Sequence, residues 1–186
     1  MTYTAGIQDG SNATAWTSFS SYGPVVRALG ANASNASTAW PANNDAYAVP
    51  FRLSVPATFV GCYFIAGTSP GTTTYDLGIY RDDFTLVTSL GSTAAVSTTG
   101  AVLPVGGGTF TTPVTLARGR YFMAMSSAAT TLTASAIAPA NQVLRAVGMF
   151  KMATAHPLPN PFVPASMGTT TFMPLMGLTT TANAVL

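Results

Sequence analysis

One histidine, one cysteine and five carboxylates are all that this chain of 186 residues offers for proton transfer, nucleophilic attack or metal binding. All five carboxylates are Asp, and Asp82 and Asp83 form their only adjacent pair. General acid–base work needs two carboxyls held across a cleft with separated pKa values. Neighbouring residues in a strand-like turn point apart, and Asp favours turns, so the pair reads as a hairpin turn. A metal or sugar contact and catalysis are the alternatives. His156, between Ala155 and Pro157, has no spacing that makes a Ser-His-Asp or Cys-His set, and a zinc site would lack its usual His and Cys ligands. It reads as packing or hydrogen bonding in a connecting segment. Cys62 sits among Tyr63, Phe64 and Ile65 and reads as a small buried hydrophobe. A single cysteine forms no disulfide framework within the chain. Gly106-Gly107-Gly108 lacks the Lys-Ser/Thr and following helix of a phosphate loop and reads as a flexible loop. No catalytic residue, cofactor or metal site is expected.

The aromatic residues near the N-terminus invite a second kind of chemistry. Trp16, Phe19, Tyr22, Trp40 and Tyr47 could stack on a sugar ring, pack internally, or anchor an arm on a neighbouring subunit, where aromatics dominate interface energetics. The segment around them, residues 1–46, is rich in Ser, Ala and Asn and has too few apolar residues to fold alone. An extended N-terminal arm is therefore expected, with Trp16, Phe19, Tyr22 and Trp40 as an assembly interface. Met167, Met173 and Met176 read as adaptable filling at a core or interface.

The elements that must position these residues are strands. Glu is absent, Lys nearly so, and 17 Gly and 13 Pro punctuate the chain. Thr, Val and aromatics fill the apolar stretches and suit a pleated sheet. Val49, Phe51, Leu53 and Val55 alternate with Arg52 and Ser54, the period of a half-buried strand. Thr58–Ala66 is apolar on both faces and reads as a central strand. Tyr75–Tyr80 and Phe84–Leu90 flank a polar turn and read as a hairpin. Phe110–Leu116 and Arg120–Ser126 flank a second tight turn. Thr130–Ala138 and Gln142–Met152 read as a last pair around Pro139-Ala140-Asn141. Residues 156–168 are Pro-rich and must run extended. Residues 170–178 form a closing strand, with Pro174 at an edge or bulge. The expected fold is an all-β, jelly-roll-like antiparallel β-sandwich. Its parts are the arm (1–46), the sandwich (47–155) and the Pro-rich segment with its closing edge strand (156–186). No internal repeat is visible.

Charge then narrows the function. Charged residues are 6% of the chain, against about 25% in an ordinary domain. Charge covers a protein's surface and keeps it monomeric, so a chain without it suits a subunit of a permanent assembly. A hydrophobic fraction of 48% excludes the weakly hydrophobic, highly charged type of disorder. Seven scattered cations form no track for a phosphate backbone, so nucleic acid is not an expected partner. The longest apolar stretch is far shorter than the roughly 20 residues of a membrane helix. The first ten residues show no signal-peptide pattern. The N-x-S/T triplets at Asn12, Asn32 and Asn35 are read as chance in a chain so rich in these residues.

Two stretches resemble bacteriophage structural proteins of the small β-sandwich kind. In PFRLSVPATFVGCYFIAGTSPGTTTYDLGIYRDDFTLVTSLG the resemblance lies in an apolar strand, a central strand, a glycine-rich loop and a D-x-x-I-Y hairpin. FTTPVTLARGRYFMAMSS is similar to the Pro-Val-x-Leu-x-x-Gly-x-Tyr corner that closes such sandwiches. The resemblance spans about residues 48–127 and carries over no functional residues. It implies a jelly-roll-like protein of the virion. So few chemical groups point to a non-enzymatic one, and short length without a stalk or coiled-coil heptads favours a decoration or cement protein bound to the major capsid protein or other virion subunits. The alternative is a tail or fibre module that recognises host glycans. A homo-oligomer is expected, a trimer before a dimer.

Overall fold

The computed structural model describes residues 36–68, 71–95, 102–137, 144, 146, 148–167 and 169–179. The strands are β1 (Ala36–Ala39), β2 (Ala46–Leu53), β3 (Ala57–Ile65), β4 (Thr74–Arg81), β5 (Leu86–Ser89), β6 (Thr93–Ala94), β7 (Val102–Leu116), β8 (Gly119–Ser127), β9 (Thr133–Ile137), β10 (Phe150–Met152), β11 (Met173–Pro174) and β12 (Met176–Thr179). All their pairings are antiparallel.

The chain forms a rolled ribbon. β2 pairs with β8, β3 with β7, and β4 with β5 and β6, while β4 also lies beside β8. Successive ribbon pairs fall alternately in two sheets, which is a jelly-roll-like arrangement. The first sheet runs β10-β2-β8-β4-β5, with β6 on β4. The second is built from β1-β9-β11 and β12-β3-β7. These two parts join at Leu175, whose N–H donates to Ser135 O and whose carbonyl accepts from Ile65 N–H, both at 2.9 Å. Pro174, which has no N–H to give, stands where the strand leaves β9 for β3. Residues 173–179 are thus an edge of each part and the seam between them.

Alternation along β2, β8 and β4 decides what lies between the sheets. Tyr47, Val49, Phe51, Leu53, Tyr75, Leu77, Ile79, Tyr121, Met123 and Met125 meet Phe59, Cys62, Phe64, Phe110, Met173, Met176 and Leu178 in one buried cluster. Full burial of such side chains stabilises by about 1.5–3 kcal/mol each. Phe64 from one sheet meets Tyr75 from the other edge-on at 4.8 Å. At the β7–β8 corner the Tyr121 hydroxyl donates to Ala117 O at 3.0 Å, the back-bond of a tyrosine corner.

The tight turn expected at Ala117-Arg118 carries the chain from the second sheet to the first, since β7 and β8 lie in different sheets. Two expectations change. β9 and β10 do not pair with each other: β9 joins the second sheet and β10 lies on β2, with Leu144 and Ala146 helical between them. Turn chemistry marks where a chain reverses but not which distant strand it then meets. Gly106–Gly108 belongs to β7 instead of a loop. There β3 and β7 come so close that a Cβ on Gly61 would overlap the Gly108 carbonyl. The ladder shifts register on either side of this contact.

Candidate functional site

The outer face of the first sheet is covered as well. Ala46, Ala48, Tyr80, Phe122 and Ala124 on that face meet Ala155, Leu158 and Phe162 from the Pro-rich segment, with Phe84 and Phe150 packed against them. Residues 155–162 therefore act as a strap. Proline denies this segment a regular ladder, so side chains and isolated backbone groups fix it instead. Leu86 N–H donates to Asn160 Oδ1 at 3.0 Å, and the Tyr80 hydroxyl donates to Pro159 O at 2.6 Å. Phe162 N–H donates to Phe84 O at 2.9 Å. Phe84, held at φ 65°, stacks on Phe122 at 5.0 Å and meets Phe150 edge-on at 5.3 Å. A left-handed backbone is costly for so large a residue, and this aromatic packing offsets the cost.

A polar cluster lies under the start of the strap. His156 Nδ1 is 3.0 Å from Ser126 Oγ, and its Nε2 is 2.9 Å from Thr74 Oγ1 and 3.3 Å from Ser92 Oγ. Beside it Asp76, 1% exposed, accepts at Oδ2 from Leu158 N–H (3.0 Å) and Ser89 Oγ (3.2 Å). Its Oδ1 is buried without a hydrogen bond. Burial pushes the Asp76 carboxyl above its ordinary value, opposed by the hydrogen bonds from Leu158 and Ser89 and by the nearby His156. Burial pushes the His156 imidazole below its ordinary value, opposed by the Asp76 charge.

These residues do not form a hydrolytic triad. Both imidazole nitrogens bond hydroxyls, so no carboxylate orients the ring, and Ser126 is fully buried. A hydroxyl can donate or accept, so the cluster satisfies the ring in either tautomer. The arrangement clasps a segment to a sheet. His156 thus hydrogen-bonds in a connecting segment, as its neighbours suggest. Asp76 opens the D-x-x-I-Y motif, but its role in the cluster was not legible because it sits singly inside an apolar strand. The signal was its even register with Gly78 and Tyr80, on a face that an exposed sheet would fill with more than one polar residue.

The other sequence candidates separate. Asp83 Oδ1 accepts from Thr85 N–H at 3.0 Å and Thr85 Oγ1 at 2.6 Å. Those bonds hold its carboxyl below the ordinary value and make it a turn residue. Asp82 forms an ion pair with Arg120 at 3.4 Å. Cys62 is buried, with Sγ 3.8 Å from Leu77 O across the sandwich, and burial followed by the Asp76 charge pushes its thiol up. Met167, Met173 and Met176 are core residues. Among the described residues no group of three or more His, Cys, Asp or Glu could hold a metal, and no helix is long and apolar enough to cross a membrane.

The assembly residues divide. Trp16, Phe19 and Tyr22 lie outside the described residues. Trp40 is corrected to a core residue at 1% exposure. It meets Tyr47 at 5.3 Å and Phe172 at 5.1 Å, both edge-on, and its Nε1–H donates to Asp45 O at 3.0 Å. β1 on β9 draws residues from Ala36 onward into the second sheet, so Trp40 has an internal pocket and no face left for a neighbour. Comparison with known families, curated proteins and solved structures finds no match for this chain.

Proposed function

We propose that this chain is a non-enzymatic structural subunit of a virion, a decoration or cement protein that stabilises a shell through subunit contacts. The observation that supports it is where the charge lies. Asp45 pairs with Lys151 at 2.7 Å, with side chains 5% and 28% exposed, and Asp76 is buried. The other charged residues described, Arg52, Arg81, Asp82, Asp83, Arg118 and Arg120, stand at one end of the first sheet. The outer face of the second sheet is uncharged, with exposed Thr58, Thr109, Thr111 and Thr115. Such a surface does little to repel neighbours and costs little to desolvate, which suits permanent contact. A rolled sandwich with both faces of one sheet covered is also a rigid body to set between larger subunits.

A tail or fibre module binding glycans is the less favoured reading. Sugar stacking uses exposed aromatic faces, and the large hydrophobics exposed among the described residues are Val55 and Val163. Particles made without this protein should lose integrity at lower temperature, and adding the purified chain back should restore them. Unchanged particle stability in its absence would remove the cement role.

A further inference from the structure

The exposed cations among the described residues are all arginines, and they share one end of the molecule. Arg52 and Arg120 face each other directly across β2 and β8. Arg81 ends β4 opposite Tyr121, and Arg118 sits in the turn leading into β8. Like charges directly opposite destabilise a strand pair. The fold relieves this on one side only: Asp82 pairs with Arg120, whose guanidinium also lies 5.1 Å over the Phe122 ring. The remaining carboxylate nearby, Asp83, is engaged by Thr85. Arg52 and Arg118 have no ion-pair partner among the described residues, and Arg81 forms no direct ion pair but lies near Asp83, whose carboxyl its charge helps to hold low.

We propose that this end is a docking surface for a carboxylate-rich patch on a different protein. Arginine is the cation enriched at interfaces, while lysine is depleted; the single lysine here is paired with Asp45. The guanidinium fork matches carboxylates in bidentate geometry. A second copy of this chain does not fit. Its carboxylates are Asp45 and Asp76, both buried, Asp82 and Asp83, both engaged at the same end, and Asp9, outside the described residues. It has no acidic patch to present. A phosphate backbone fits poorly too, because four arginines at one end make a patch too short to follow a nucleic-acid track. The identity of the partner as another virion subunit rests on the assembly reading; the surface does not.

The full-length protein titrated with a short fluorescent oligoglutamate peptide tests the surface. Binding should exceed that of an oligoserine peptide and weaken as salt screens the pairing. Arg52→Glu and Arg118→Glu, each checked for native circular dichroism, should weaken it by about threefold to tenfold. Thr109→Glu adds negative charge to the second sheet well up β7 from the arginine end and should change affinity by less than about twofold, since screening confines the effect to nearby charges. Three results overturn the proposal: oligoglutamate binding no better than oligoserine, tighter binding of oligodeoxythymidylate through the same arginines, or equal weakening by Thr109→Glu. Such a failure would leave the protein's presence in particles untouched, and its absence from particles would leave the titration standing.

Discussion

Burial displaces His156 and Asp76 in opposite directions, and their effects on stability separate along the pH scale. His156 titrates lower in the folded chain than in the unfolded one. Its contribution is therefore complete above the ordinary histidine pKa of about 6.5 and is lost as pH falls through that value toward the lower folded one. Asp76 titrates higher when folded. Its contribution is complete below the ordinary carboxylate range and is lost as pH rises through the folded value. Melting temperature measured against pH should show both slopes. His156→Asn should flatten the slope just below neutrality, and Asp76→Asn should flatten the more acidic one. A wild-type profile without either slope would contradict this role for burial. Gly61 makes a sharper demand. A methyl there meets the Gly108 carbonyl and lies 3.1 Å from Thr179 Oγ1, so Gly61→Ala should cost at least about 1–3 kcal/mol, read by denaturant unfolding. The glycine run at 106–108 signalled something unusual, but sequence does not distinguish a loop from a strand that another backbone must approach closely.

Among the elements, the strap is the one that sequence concealed. HPLPNPF carries two apolar side chains, Leu158 and Phe162, without a period, so nothing local says which surface it covers. Strands that alternate were legible, because burial of one face writes the period into the chain. Val49, Phe51 and Leu53 point into the main core as read, while Val55, expected on the same face, lies past the end of β2 and is exposed; the β4–β5 hairpin closes around Asp82 and Asp83 as expected. Pairings between distant strands were not legible, since they depend on which surfaces meet after the ribbon rolls. The strap's contribution is measurable. Phe162 packs against Tyr80 at 5.4 Å and Phe84 at 6.3 Å, and Phe162→Ala should cost about 3–5 kcal/mol. Dye binding to the uncovered Phe84 and Phe122 should rise with it. A loss below about 1 kcal/mol with no added dye binding would show that the strap is not part of the folded core.

For the whole molecule, the sandwich takes in β1 and Trp40, which serve the second sheet and the core. Removal of residues 1–46 deletes β1, Trp40 and Asp45, and relative to removal of residues 1–35 it should cost at least about 3–5 kcal/mol, as for truncation of a buried Trp. Equal stability of the two truncations would contradict the placement of Trp40. Few charges and an uncharged outer sheet also predict a symmetric oligomer, a trimer before a dimer. Sedimentation at micromolar concentration should find it, and a stable monomer would count against self-assembly.

A shell role is tested most directly by the number of copies per purified particle, counted by quantitative mass spectrometry against the major capsid protein. A decoration or cement protein predicts copies in the hundreds, on the order of the number of shell subunits that closed symmetry repeats. A handful of copies would place the chain in the tail, and none would remove it from the virion.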